Sequence, residues 1–98
     1  MSDPAARPTV QVENDRVRVT EWRFGPGTAT GWHRHEYDYV VVPLSSGRLL
    51  IKDGQGETSA ELVAGRPYYR AAGARHDVVN VNPYEFVFVE VELKPPPA

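Results

Sequence analysis

Three histidines have the clearest capacity for chemistry in this chain: His33 and His35, two positions apart, and His76 well downstream. On an extended strand, residues i and i+2 share a face with Cα atoms roughly 6.5 Å apart, so two imidazole nitrogens can converge on one ion. Taken alone, His-x-His in a β-rich chain is more often a surface or core pair than a ligand pair. The chain has no cysteine. That excludes disulfides, thiolate metal sites and a cysteine nucleophile, and leaves His, Asp, Glu and Tyr as the available metal ligands. No serine lies in a nucleophile-elbow setting, which removes support for a hydrolase triad. Gly25, Gly27, Gly54, Gly65 and Gly73 read as turn formers, because no phosphate-loop spacing follows them.

The elements that would position these residues are strands. Between about Val10 and Leu93 no stretch shows helical periodicity, whereas runs rich in Val, Tyr, Phe and Thr recur with turn residues between them. The pattern predicts strands over 9–12, 16–24, 31–44, 47–52, 57–62, 67–70, 76–82 and 85–93. The turns between them fall at Glu13-Asn14-Asp15, Gly25-Pro26-Gly27, Ser45-Ser46-Gly47, Asp53-Gly54-Gln55-Gly56, Ala64-Gly65, Ala72-Gly73 and Asn82-Pro83. Seven or eight short strands at this spacing predict an all-β sandwich or barrel. Period-two alternation places His33, His35, Tyr37 and Tyr39 on one face and Arg34, Glu36, Asp38 and Val40 on the other. In the last strand Phe86, Phe88, Glu90 and Glu92 oppose Val87, Val89, Val91 and Leu93, and alternation leaves open which face lines the barrel.

The chain, 98 residues long, is expected to form a single domain over 1–98, with extended tails at about 1–9 and 94–98. A core this small makes a homodimer the expected assembly, because pairing buries apolar area that a monomer leaves wet. A formal net charge of -2 gives no electrostatic reason to expect nucleic acid or an anionic membrane as partner. No apolar run is long enough to span a bilayer, and MSDPAARPTV lacks the layout of a secretion signal, so the expected location is cytoplasmic.

The segment GTATGWHRHEYDYVVVPLSSG resembles the first motif of the cupin superfamily: a glycine, five residues, His-x-His, a glutamate three or four residues on, and a glycine after six more. Gly27, His33, His35 and Gly47 fall on that spacing. GRPYYRAAGARHDVVN resembles the second cupin motif, on which Gly65, Gly73, His76 and Asn80 fall. Two slots depart from the pattern. Ala71 stands where the second motif has proline, and the glutamate slot of the first motif falls on Tyr39 or Val40. Tyr39 is the better alignment, because it keeps the phase of His33 and His35.

The resemblance implies a small single-domain cupin: a jelly-roll β-barrel, or double-stranded β-helix, of the RmlC-like kind. It further implies one divalent transition-metal ion on His33, His35 and His76, with iron, zinc, nickel, manganese and copper all suited to imidazole. Without the glutamate, the site is similar to the three-histidine centres of some cupin dioxygenases. Tyr39 is the candidate catalytic residue, as a phenol donor to a bound ligand or as a phenolate ligand. The donor role is favoured, because a phenol pKa near 10 makes ionisation costly. Tyr37, Arg70 and Asn80 are candidates for the substrate pocket. Arg70 and Arg75 suit a substrate carboxylate or phosphate, although a solvated arginine at a turn is commoner. Asp38 and Glu36 are second-rank ligands, available only if a bulge turns them inward. Trp22, Phe24, Trp32, Tyr68 and Tyr69 read as core and dimer-face packing. The expected function is a small metal-dependent enzyme of dioxygenase or isomerase type acting on a small organic molecule. The alternative is a non-catalytic module that binds or senses a small metabolite.

Overall fold

The computed structural model describes residues 4–96. Among these, nine strands form two antiparallel sheets, and there is no helix. The strands are β1 (Arg7–Glu13), β2 (Val17–Phe24), β3 (His33–Arg34), β4 (Asp38–Pro43), β5 (Gly47–Asp53), β6 (Gly56–Leu62), β7 (Tyr68–Arg70), β8 (Arg75–Asn80) and β9 (Phe86–Leu93). The larger sheet runs β1-β2-β9-β4-β7 and the smaller β3-β8-β5-β6. The non-consecutive neighbours in both sheets are those of a jelly roll.

The core fills the space between the two sheets. Alternation in β4 buries Tyr39 and Val41, and alternation in β9 buries Phe86, Phe88 and Glu90. The Phe/Glu face of the last strand is therefore the inward one, which the sequence left open. Phe24, Leu49, Leu62 and Val78 complete the cluster.

Two sequence expectations change. The single strand expected over 31–44 is two strands in different sheets: β3 pairs with β8, and β4 pairs with β9 and β7. The chain crosses between sheets over 35–37. There the His35 N–H donates to the Ala74 carbonyl and the Gly73 N–H donates to the His35 carbonyl, both at 2.9 Å. The backbone is thus satisfied by a loop rather than a ladder, and the chain crosses the gap through His35, Glu36 and Tyr37 with no glycine or proline to mark a turn. The expected tails are also shorter. Residues 7–9 belong to β1, where Pro8 is tolerated because β1 is an edge strand, and Ala6 is buried. At the other end Lys94 is anchored by Glu13 and the Asn14 carbonyl. The outer parts of both expected tails, 1–3 and 97–98, lie outside the described residues.

The strand that matters most for the site is β8. One edge pairs with β5. The other is covered by β3 and by the segment from Gly27 to Thr30, which exchanges backbone hydrogen bonds with Val78 and Asn80 at 2.9 Å. Every residue from His76 to Asn80 is buried, so both faces of the strand are enclosed as well.

Candidate metal centre

The three histidines meet where the sheets part at one end of the barrel. His33 and His76 are directly opposite in the β3–β8 pair, so their side chains rise from the same face. His35, on the crossing segment, comes in beside them. The Nε2 atoms of His33 and His35 are 3.1 Å apart, and those of His35 and His76 are 3.2 Å apart.

These distances suit a ligand set. Two nitrogens bound to one ion at about 2.1 Å and roughly at right angles are about 3.0 Å apart. The His33 Nδ1–H donates to the Gly31 carbonyl at 2.8 Å, which leaves the lone pair of neutral His33 on Nε2, directed at the other two rings. Gly31 has φ +85, a backbone conformation that glycine adopts without strain, and its N–H is held by Asp77 Oδ1 at 3.0 Å. Burial, with the neighbouring His33 and His76 adding to it, pushes His35 down to about 4. Burial, again with His33, pushes His76 to about 4. Both are therefore neutral at neutral pH, the form that binds a metal. Among the described residues these three make one group whose ligand atoms all lie within 4.8 Å of one another. The donor set fits a divalent transition metal.

Around the triad is a narrow cavity of about 20 Å³, enough for one water-sized group. Its walls include Thr30, Tyr39, Phe88 and Glu90 as well as His33 and His76. Tyr39 is only 2 % exposed and its ring stacks on His35 with centroids 3.8 Å apart. Burial pushes its phenol up to about 12, so the side chain is a neutral hydroxyl at neutral pH. Arg70 is the cross-strand neighbour of Tyr39 and borders the cavity. It also borders a wider, open cleft of about 390 Å³ that continues outward past Ile51 and His76 to Asp53, Gln55 and Arg75.

Other candidates lie elsewhere. Asn80 is fully buried at the opposite end of β8, and its amide is consumed by the backbone. Nδ2 donates to the carbonyls of Phe24, Gly25 and Tyr84, and Oδ1 accepts from the backbone and side chain of Asn82. Its expected place in the substrate pocket is thus corrected to a structural pin. Tyr37, expected in the same pocket, is half-buried outside the cavity walls, because the sheet crossing interrupts the alternation that would have turned it inward. Asp38 accepts from the Tyr69 hydroxyl and the Ala72 N–H, and Glu36 is exposed, so neither reaches the triad.

The carboxylate that does approach is Glu90, on β9. Its Oε2 is 3.9 Å from His35 Nε2, and it is 7 % exposed. Burial, reinforced by Glu92, raises it to about 7, with the Trp22 side chain acting the other way. It stands outside the close group of three histidine nitrogens. The phase of Phe86 and Phe88 is the sequence signal that marks it, once that face is known to be inward.

No protein-family model matches the sequence. The chain is 57% identical over 91 residues to the "Beta-alanine degradation protein BauB" of Pseudomonas aeruginosa, covering 93% of this chain and 96% of that protein. Among solved structures, a cupin domain from Bordetella pertussis is 53% identical and superposes with a TM-score of 0.94, covering 97% of this chain and 99% of the other. A Klebsiella pneumoniae protein with a double-stranded β-helix domain is 26% identical with a TM-score of 0.76, over 95% of this chain and 80% of its own. The double-stranded β-helix, the two motifs and these relatives agree, and the chain belongs to the cupin superfamily, as a small single-domain member in one family with the Pseudomonas protein.

Proposed function

We propose that the protein is a small metal-dependent enzyme that holds one divalent transition-metal ion on His33, His35 and His76 and acts on a small organic molecule. The observation that carries this reading is the convergence of three imidazole Nε2 atoms, with His33 oriented by a second hydrogen bond, at the mouth of a barrel. When bound, such an ion supplies Lewis acidity toward a carbonyl or enediol, or a place to activate dioxygen. Imidazole ligands suit iron, zinc, nickel, manganese and copper.

The chain's own residues do the rest. Phe88, Val41 and Leu49 line the cavity with apolar surface and keep bulk water from it. The neutral Tyr39 hydroxyl donates a hydrogen bond to a bound molecule. Glu90, near neutrality in its proton affinity, takes up or returns a proton at its carboxylate as general acid or base. The name of the Pseudomonas relative supports a substrate on the scale of a small amino acid or a product of its breakdown.

The test is metal content by plasma mass spectrometry on untagged protein and on His33→Ala and His76→Ala. About one equivalent of metal in the wild type, lost in both variants, is expected. Metal-free protein that cannot be reconstituted with any of the five metals would overturn the reading and leave a metabolite-binding barrel as the better account.

A further inference from the structure

We infer that the open cleft beside His76 is a carboxylate-binding subsite, with Arg70 and Arg75 as its cations, and that the substrate is a small organic acid entering reacting end first. The inference rests on the metal-dependent reading for what happens at that reacting end.

Size gives the first argument. The cavity at the triad has room for one water-sized group, whereas the cleft outside is about 390 Å³. The two share Ile51, Arg70 and His76 as walls, so they adjoin at those side chains. A substrate therefore presents a single small group to the histidines and keeps the remainder of its atoms in the cleft, between the two arginines.

Charge gives the second. Three arginines carry ion pairs, Arg18 with Glu13, Arg23 with Glu21 and Glu85, and Arg48 with Glu61; among the described residues Arg7, Arg16, Arg34 and Arg66, like the two at the cleft, have none. Among the described residues no carboxylate lies within ion-pair distance of Arg70 or Arg75. The cleft borders on a single carboxylate, Asp53, whose Oδ1 already accepts the Gln55 N–H at 2.8 Å. Two guanidinium groups against one carboxylate leave the cleft positive. Arg75 also stands directly opposite Arg34 in the β3–β8 pair, and like charges so placed repel. Arg70 lines the inner cavity as well as the cleft. A guanidinium's planar fork matches a carboxylate in bidentate fashion.

The experiment compares 3-hydroxypropionate with 3-hydroxypropanamide, two probes that differ in the charge of one end, by calorimetric titration of zinc-loaded protein. The acid is expected to bind roughly tenfold or more tightly than the amide, and Arg70→Gln to remove about tenfold of that preference. Arg70→Lys should restore part of the preference, because it returns the charge without the fork, and Arg75→Gln should show a smaller loss. Equal binding of acid and amide, no measurable binding of the acid, or an acid affinity unchanged in both Gln variants overturns the inference. The same titration on chelator-treated protein separates the two claims. Preference for the acid that persists after chelation upholds the subsite, and failure of the same protein to take metal back up sinks the metalloenzyme reading. A metal-loaded protein indifferent to charge does the reverse.

Discussion

The two ends of β8 carry buried polar groups that have been satisfied in opposite ways. At the Asn80 end each donor and acceptor of the side chain meets backbone or Asn82, and the neighbouring turn closes tightly. A Cβ at Gly47 would come within 2.6 Å of the Tyr84 hydroxyl and 2.7 Å of Asn82 Oδ1. At the His76 end three nitrogens face one another across about 3 Å, with the His33 lone pair fixed inward toward the other two rings. Burial is nearly the same in the two places. The lesson is that a buried polar group whose partners are all internal reads as architecture. One whose partners are other ring nitrogens converging on one point reads as a place prepared for something from outside.

Substitution should separate the ends. Asn80→Ala is expected to have the largest effect: it removes the side-chain donor to the Phe24 and Tyr84 carbonyls and the acceptor of the Asn82 N–H, and costs about 3 kcal/mol of stability, measured by urea unfolding, while zinc stoichiometry in the surviving folded fraction is unchanged. His76→Ala should do the converse, removing the metal and leaving chelator-treated protein no less stable than wild type. A large loss of stability on His76→Ala would erase the contrast.

Acidity should act on the histidine end next. The unfolded values of His35 and His76 lie near 6.5 and the folded values near 4, so across that window the unfolded chain takes up protons that the folded one refuses. Chelator-treated protein should therefore lose stability as pH falls from about 6.5 toward about 4. Glu90 works in the other direction. Its folded value, about 7, lies above 4.5, so its contribution is complete below 4.5 and is lost as pH rises through 7. Glu90→Gln should steepen the acid loss, read as the shift of the urea midpoint between about pH 7 and about pH 5. The smallest effect should come from Asp38→Asn, which weakens the hold of Asp38 on Tyr69 and Ala72 and so on the loop that brackets His35. A several-fold loss of zinc affinity with unchanged stoichiometry is expected in competition with a chelating dye.

Much of this was legible in the sequence. His33, His35 and His76 stand out because the spacing of the two cupin motifs is a property of the chain itself, and the jelly roll follows from strand runs and turn residues. What was hidden depends on contacts between distant segments. The crossing at 35–37 has no turn residue to announce it, since its hydrogen bonds are supplied by the loop at Gly73 and Ala74. Glu90 was ambiguous because both faces of β9 are apolar enough to be inside, and packing of one sheet on the other decides between them. Asn80 lies on motif spacing and was read toward the pocket, whereas motif spacing records position and not direction.

The enclosure of β8 has a consequence for the kinetics and entropy of ligand capture. With both edges hydrogen-bonded and both faces covered, the amides of His76 to Asn80 should be among the last in the molecule to exchange with solvent, opening only with global unfolding. Ordering of the ligand strand is then complete before any ion arrives. Association should carry little conformational entropy cost and proceed at a rate set by ligand exchange at the ion rather than by rearrangement of the chain.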